Sequence, residues 1–128
     1  MKSKYLLPLF FILLAQSLLG QTKFSREEFS SLICEKWKVT ELVMDGMKVP
    51  DAELGENSIE FDMKGTYEVL EQGEAYAGTW SFQSDTQELL TDDRDGKERH
   101  KIIKLTEVDL IMEVIDPNGT FKITLKRI

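Results

Sequence analysis

The sequence predicts an all-β protein: an eight-stranded antiparallel up-and-down barrel with a short N-terminal helix. Three observations lead there. From Trp37 onward apolar residues recur at every second position in short runs. Turn residues such as Asp45-Gly46, Gln72-Gly73 and Asp116-Pro117-Asn118-Gly119 separate the runs, and no helical pattern lies between them. Successive strands without crossovers pair antiparallel. A meander of eight has two edges to protect, and joining the first strand to the last removes them. A two-sheet sandwich competes, but most of these loops are too short for Greek-key connections.

The elements follow in order. Lys2 and Lys4, the apolar stretch from Tyr5 to Leu14 and the small or polar end through Gly20 have the layout of a secretory signal. Pro8 and Gln16 interrupt the stretch, which falls short of the roughly 20 residues of a spanning helix. Residues 1–20 are therefore read as a signal peptide, cut after Gly20 or after Ser17, and residues 21–128 as one exported domain, periplasmic or extracellular. Gln21 stands where a lipid-bearing cysteine would have to be, so no stable membrane anchor is expected after cleavage.

Ser25 with Glu28 three residues on forms a capping box. Phe24, Phe29, Leu32 and Ile33 give the following helix one apolar face, with its end expected near Lys36. The first strand runs from Trp37 to Met44, and Met47 to Asn57 reads as a loop with room for a turn of helix. Ser58–Met63, Thr66–Glu71 and Tyr76–Gln83 alternate next. The final four strands are Gln87–Thr91, Arg99–Thr106, Val108–Ile115 and Thr120–Arg127, with Asp92 to Gly96 read as a polar turn. In Asp116-Pro117-Asn118-Gly119 the proline presets φ and the glycine accepts a positive one.

The apolar phase places Trp37, Val39, Ile59, Phe61, Met63, Tyr67, Val69, Tyr76, Trp80 and Phe82 inside in the first half. Ile103, Leu105, Leu110, Met112, Val114, Phe121, Ile123 and Leu125 join them in the second. Gly78 shares that face, where a missing side chain allows a bend or leaves room for a neighbouring ring. Glu41, Glu71 and Arg127 break the apolar phase. Each is read either as a solvated rim residue or as a polar group at the mouth of a cavity.

Composition narrows the function. With 41% apolar and 30% charged residues the chain is neither disordered nor a multi-span membrane protein. Its formal charge is −7 before signal removal, and loss of two lysines makes it −9. That field repels phosphate and anionic lipid, so no nucleic-acid partner is expected. One cysteine gives no disulfide framework, and Cys34 reads as a small buried thiol, with a reactive thiol or an intermolecular disulfide as alternatives. One histidine, His100, reads as a solvated rim residue, and no metal set, nucleophile motif or phosphate loop accompanies it. No catalytic residue, cofactor or metal is assigned, and the chain is read as a non-enzyme.

Glu35-Lys36-Trp37 after a short helix, followed by an alternating strand and Asp45-Gly46, resembles the Gly-x-Trp opening of lipocalins. Ile59-x-Phe61 with Gly65-Thr66-Tyr67, Gly78-Thr79-Trp80, Leu110 and the final hairpin resemble the short lipocalin-like domains of exported bacterial proteins, over Leu32 to Ile128. The departure is Glu35 in place of the family glycine. The resemblance implies a barrel that holds a small hydrophobic ligand and a basic residue of the last strand packed over the first-strand tryptophan, with Arg127 in that role. The candidate ligand-binding residues are Phe61, Met63, Tyr67, Tyr76, Trp80 and Met112, the aromatic and methionine part of the inward phase. The alternative is a structural or protein-interaction domain of the cell envelope whose solid core holds no ligand and whose acidic surface meets an envelope protein. Eight-stranded barrels permit both outcomes.

Overall fold

A computed structural model describes residues 23–128, and the signal peptide expected at residues 1–20 lies outside them. The described elements are α1 (Arg26–Ile33), β1 (Lys36–Met44), β2 (Met47–Lys48), α2 (Asp51–Leu54), β3 (Asn57–Phe61), β4 (Thr66–Glu71), β5 (Glu74–Gln83), β6 (Glu88–Asp93), β7 (Gly96–Leu105), β8 (Asp109–Asp116) and β9 (Gly119–Arg127). Every strand pairing is antiparallel. The sheet runs β2-β1-β3-β4-β5-β6-β7-β8-β9, and β1 also pairs β9 from Trp37↔Arg127 to Met44↔Phe121. That last pairing closes β1 and β3–β9 into an eight-stranded barrel, with β2 as an extra strand. The chain therefore leaves neither long edge of the meander unpaired.

One end of the barrel is packed shut. The Ser25 hydroxyl accepts from the Glu28 amide and the Glu28 carboxylate accepts from Ser25, so the capping box starts α1 as the sequence indicates. Phe24 and Phe29 meet edge to face at 6.4 Å across that cap. Gln87, between β5 and β6, bonds both backbone groups of Phe24 and ties the helix to the barrel rim. Phe29 then stacks on Phe82 at 3.9 Å, and Trp37 is fully buried with its indole N–H donated to the Ile33 carbonyl. α1 ends at Ile33, earlier than its apolar pattern suggests, because β1 begins at Lys36.

At the other end β1 leaves its neighbour. It pairs β3 only over Lys36–Lys38, then turns to pair β2 through Val43↔Lys48 and Met44↔Met47. α2 lies over the gap with Leu54 buried, so the segment read as a loop is a two-residue strand and one turn of helix.

Two bulges correct the inward assignment. The β1–β9 register shifts between Val39 and Glu41, so Leu42 comes opposite Ile123 while Glu41 faces Thr124. Thr40 is the extra residue, and the phase break at Glu41 is a bulge rather than a rim position. The β7–β8 register shifts between Ile102 and Lys104, which makes Ile102 a core residue opposite Met112 and leaves Ile103, expected inside, half-buried as the extra residue. Met63, also expected inside, is 71% exposed. β3 stops at Phe61, and Asp62 gathers the Lys64 and Thr66 amides and the Thr66 hydroxyl into a turn that holds Met63 outside the barrel.

Candidate functional site

A cavity of about 210 Å³ lies inside the barrel toward the α2 end. Its walls are apolar, from Val39, Leu42, Leu54, Ile59, Phe61, Val69, Leu89, Met112 and Ile123. Its polar groups gather on neighbouring strands: Tyr67, Glu71, Tyr76, Thr91, Asp93, Glu98 and His100, with Asn57 beneath α2. A larger hollow of about 620 Å³ includes the outward side chains Thr79, Ser81, Asp92, Lys97 and Arg99 of β5–β7. Those residues are exposed, so the interior cavity is the better enclosed of the two.

Of the six candidate ligand residues, Phe61, Tyr67, Tyr76 and Met112 border the cavity. Trp80 does not border it: its ring packs on Phe61 at 6.0 Å and Phe29 at 6.1 Å toward the shut end, and its N–H is donated to the Asp62 carbonyl. Met63 is outside altogether.

Gly78 explains how β4 reaches β6. It stands opposite Tyr67, and a Cβ there would lie 2.6 Å from Tyr67 Cζ and Oη and from the Asp92 carbonyl. Without that Cβ the Tyr67 ring crosses β5 and donates its hydroxyl to Asp93 Oδ2 at 2.5 Å. Burial, then the Asp93 carboxylate, push the Tyr67 hydroxyl well above the usual phenol range, so it remains a donor. Tyr76 donates to Glu71 Oε2 at 3.2 Å and is shifted upward for the same reasons, burial first and Glu71 second.

His100 corrects the sequence reading. It is 8% exposed and stands opposite Leu89 inside the barrel, not in water at the rim. Burial pushes its pKa down to about 4, against the opposing pull of Asp93, so at neutral pH the ring is uncharged. Nε2 lies 2.9 Å from the Thr91 hydroxyl, and Nδ1 is buried with no hydrogen-bond partner. In the neutral ring one nitrogen carries the proton and the other accepts, so Nδ1 is a buried polar atom without a protein partner in either tautomer.

Asp93 and His100 escape the sequence reading for different reasons. Asp92 to Gly96 reads as a turn, whereas β6 continues to Asp93 in the inward phase Leu89-Thr91-Asp93, and extending the alternation by two residues finds it. His100 falls within the expected strand from Arg99, but the bulge at Ile103 inverts the phase, so counting back from Ile103 places it outside while His100 and Ile102 point inward.

At the shut end Arg127 stands opposite Trp37 in the β1–β9 register, and its guanidinium pairs with Glu35 at 3.1 Å. Cys34 is half-buried against the core, and burial, then Asp62 and Glu35, raise its thiol pKa, which disfavours the reactive thiolate. Among the described residues no cluster of three His, Cys, Asp or Glu side chains is disposed to hold a metal ion, and no helix is long and apolar enough to cross a membrane. No protein-family model matches the chain, and no curated protein is similar to it.

Proposed function

We propose that this protein is an exported, lipocalin-like binding protein that holds a small, mainly apolar molecule in the α2 end of its barrel and performs no chemistry on it. The carrying observation is the cavity itself. The same eight strands that pack solid under α1 leave about 210 Å³ bounded by Val39, Ile59, Val69, Met112 and Ile123 at the other end. That volume lies below the roughly 300–1,000 Å³ of sites for drug-sized ligands, so the ligand is small. The charged start and apolar stretch of residues 1–20 support export.

Toluene is a suitable first probe, being apolar and compact. Titrated into protein with labelled methyl groups, it is expected to shift the Val39, Ile59, Val69 and Met112 resonances and leave Leu105 and Leu110 unmoved. Saturable shifts confined to the first group support the reading. No shift with toluene, together with no small molecule retained through purification in native mass spectrometry, would return the protein to the class of envelope interaction domains.

A further inference from the structure

We propose that the cavity selects a small apolar molecule bearing a protonated amine, with the ammonium group at the mouth facing Asp93 and Glu71 and the hydrocarbon body against Val69 and Met112. This rests on the reading of the cavity as a small-molecule site and names the class of molecule it takes.

Charge and hydrogen-bonding roles are both unbalanced in the cavity. Glu71 and Asp93 put two carboxylates at the cavity, and no lysine or arginine borders it among the described residues. Arg94 lies 4.0 Å over the Tyr76 ring but is paired with Glu74, outside the cavity lining. A fatty acid or other anion would enter a mouth of its own sign, whereas a cation is drawn in and held. Roles are equally one-sided. The two tyrosine hydroxyls already donate to Asp93 and Glu71, which leaves these carboxylates as the charged acceptors of the cavity, and His100 Nδ1 is a buried polar atom that no protein group meets. Carboxylate acceptors are complementary to a ligand head rich in N–H, and an ammonium carries three. The apolar walls complete the class: a primary amine on a compact hydrocarbon or single aromatic ring.

Three near-isosteric probes test this by isothermal titration calorimetry on the purified protein: 2-phenylethylamine, 2-phenylethanol and phenylacetate. The amine is expected to bind at least about tenfold more tightly than the alcohol, since bonds to charged groups are stronger than neutral ones, and phenylacetate more weakly than either. Glu71→Gln and, separately, Asp93→Asn are expected to bring amine and alcohol within about threefold while the alcohol itself changes little. Glu71 is exposed, so its variant guards against a folding defect in the other. Alcohol bound as tightly as amine, or phenylacetate preferred, overturns the amine assignment and leaves the small-molecule site standing. No heat and no competition with toluene for any of the three overturns both.

Discussion

The two ends of the barrel are built from the same eight strands and solve opposite problems. Under α1 the interior is filled by large rings: Phe29 on Phe82, Trp80 between Phe29 and Phe61, and Trp37 anchored to the Ile33 carbonyl. At the α2 end β1 parts from β3, and the inward positions carry Tyr67, Asp93 and His100 around a space that protein atoms do not fill. The first end derives its stability from apolar area and close packing. The second places polar groups inside the barrel and satisfies most, but not all, of them. Residues at the second end therefore forgo stability that apolar packing would give, as the proposed binding site would require.

Substitutions that act at one end and spare the other sharpen this contrast. The largest effect is expected from Phe29→Ala. It removes a fully buried ring stacked on Phe82 and should cost about 3–5 kcal/mol in urea unfolding, while the methyl shifts produced by toluene stay as in the wild type. Loss of toluene binding in a still-folded variant would mean that the two ends are one cooperative site.

Next comes the pH dependence of His100. Its folded pKa, about 4, lies below its ordinary value, so the unfolded chain binds the proton first. The contribution of the neutral ring to stability is whole above about pH 6.5 and is lost as pH falls toward 4, up to about 3 kcal/mol at the acid end. His100→Leu should remove that slope between pH 7.5 and 4.5, measured as the difference in urea midpoints from wild type. An unchanged slope would show that the carboxylates alone set the acid sensitivity of this end.

The same contrast explains what the sequence made legible. At the shut end each inward residue is apolar, so period-two alternation identified Trp37, Phe61, Phe82 and Leu125, and the capping box located α1. At the open end the inward positions include Asp93, which reads as part of a turn because polarity is the signal alternation takes for outside, and His100, which the bulge at Ile103 moves off the apparent phase. The bulges at Thr40 and Ile103 were hidden for another reason: a bulge exists relative to the partner strand's register, and one strand's sequence does not contain it. Gly78 on its own strand indicates either a bend or room for a neighbouring ring, and the structure places the Tyr67 ring of the adjacent strand there.

Gly78→Ala tests that passage across β5. The new methyl would meet Tyr67 and the Asp92 carbonyl at 2.6 Å, so both the tyrosine and the β5–β6 backbone must move. A loss of about 1–3 kcal/mol is expected, with the Tyr67–Asp93 bond broken in the variant's structure. Tyr67→Phe is the milder counterpart, because the ring stays and only the hydroxyl goes. Asp93 would keep the Asp95 amide on Oδ1 and lose its donor on Oδ2. About 1 kcal/mol is expected, and a double-mutant cycle with Asp93→Asn should return a coupling of similar size. If the coupling is near zero, Tyr67 contributes only its ring. If it is present and 2-phenylethylamine binding falls with it, the Tyr67–Asp93 bond orients Asp93 for the ligand. The incomplete satisfaction of this end would then be the property that lets a donor from outside complete it.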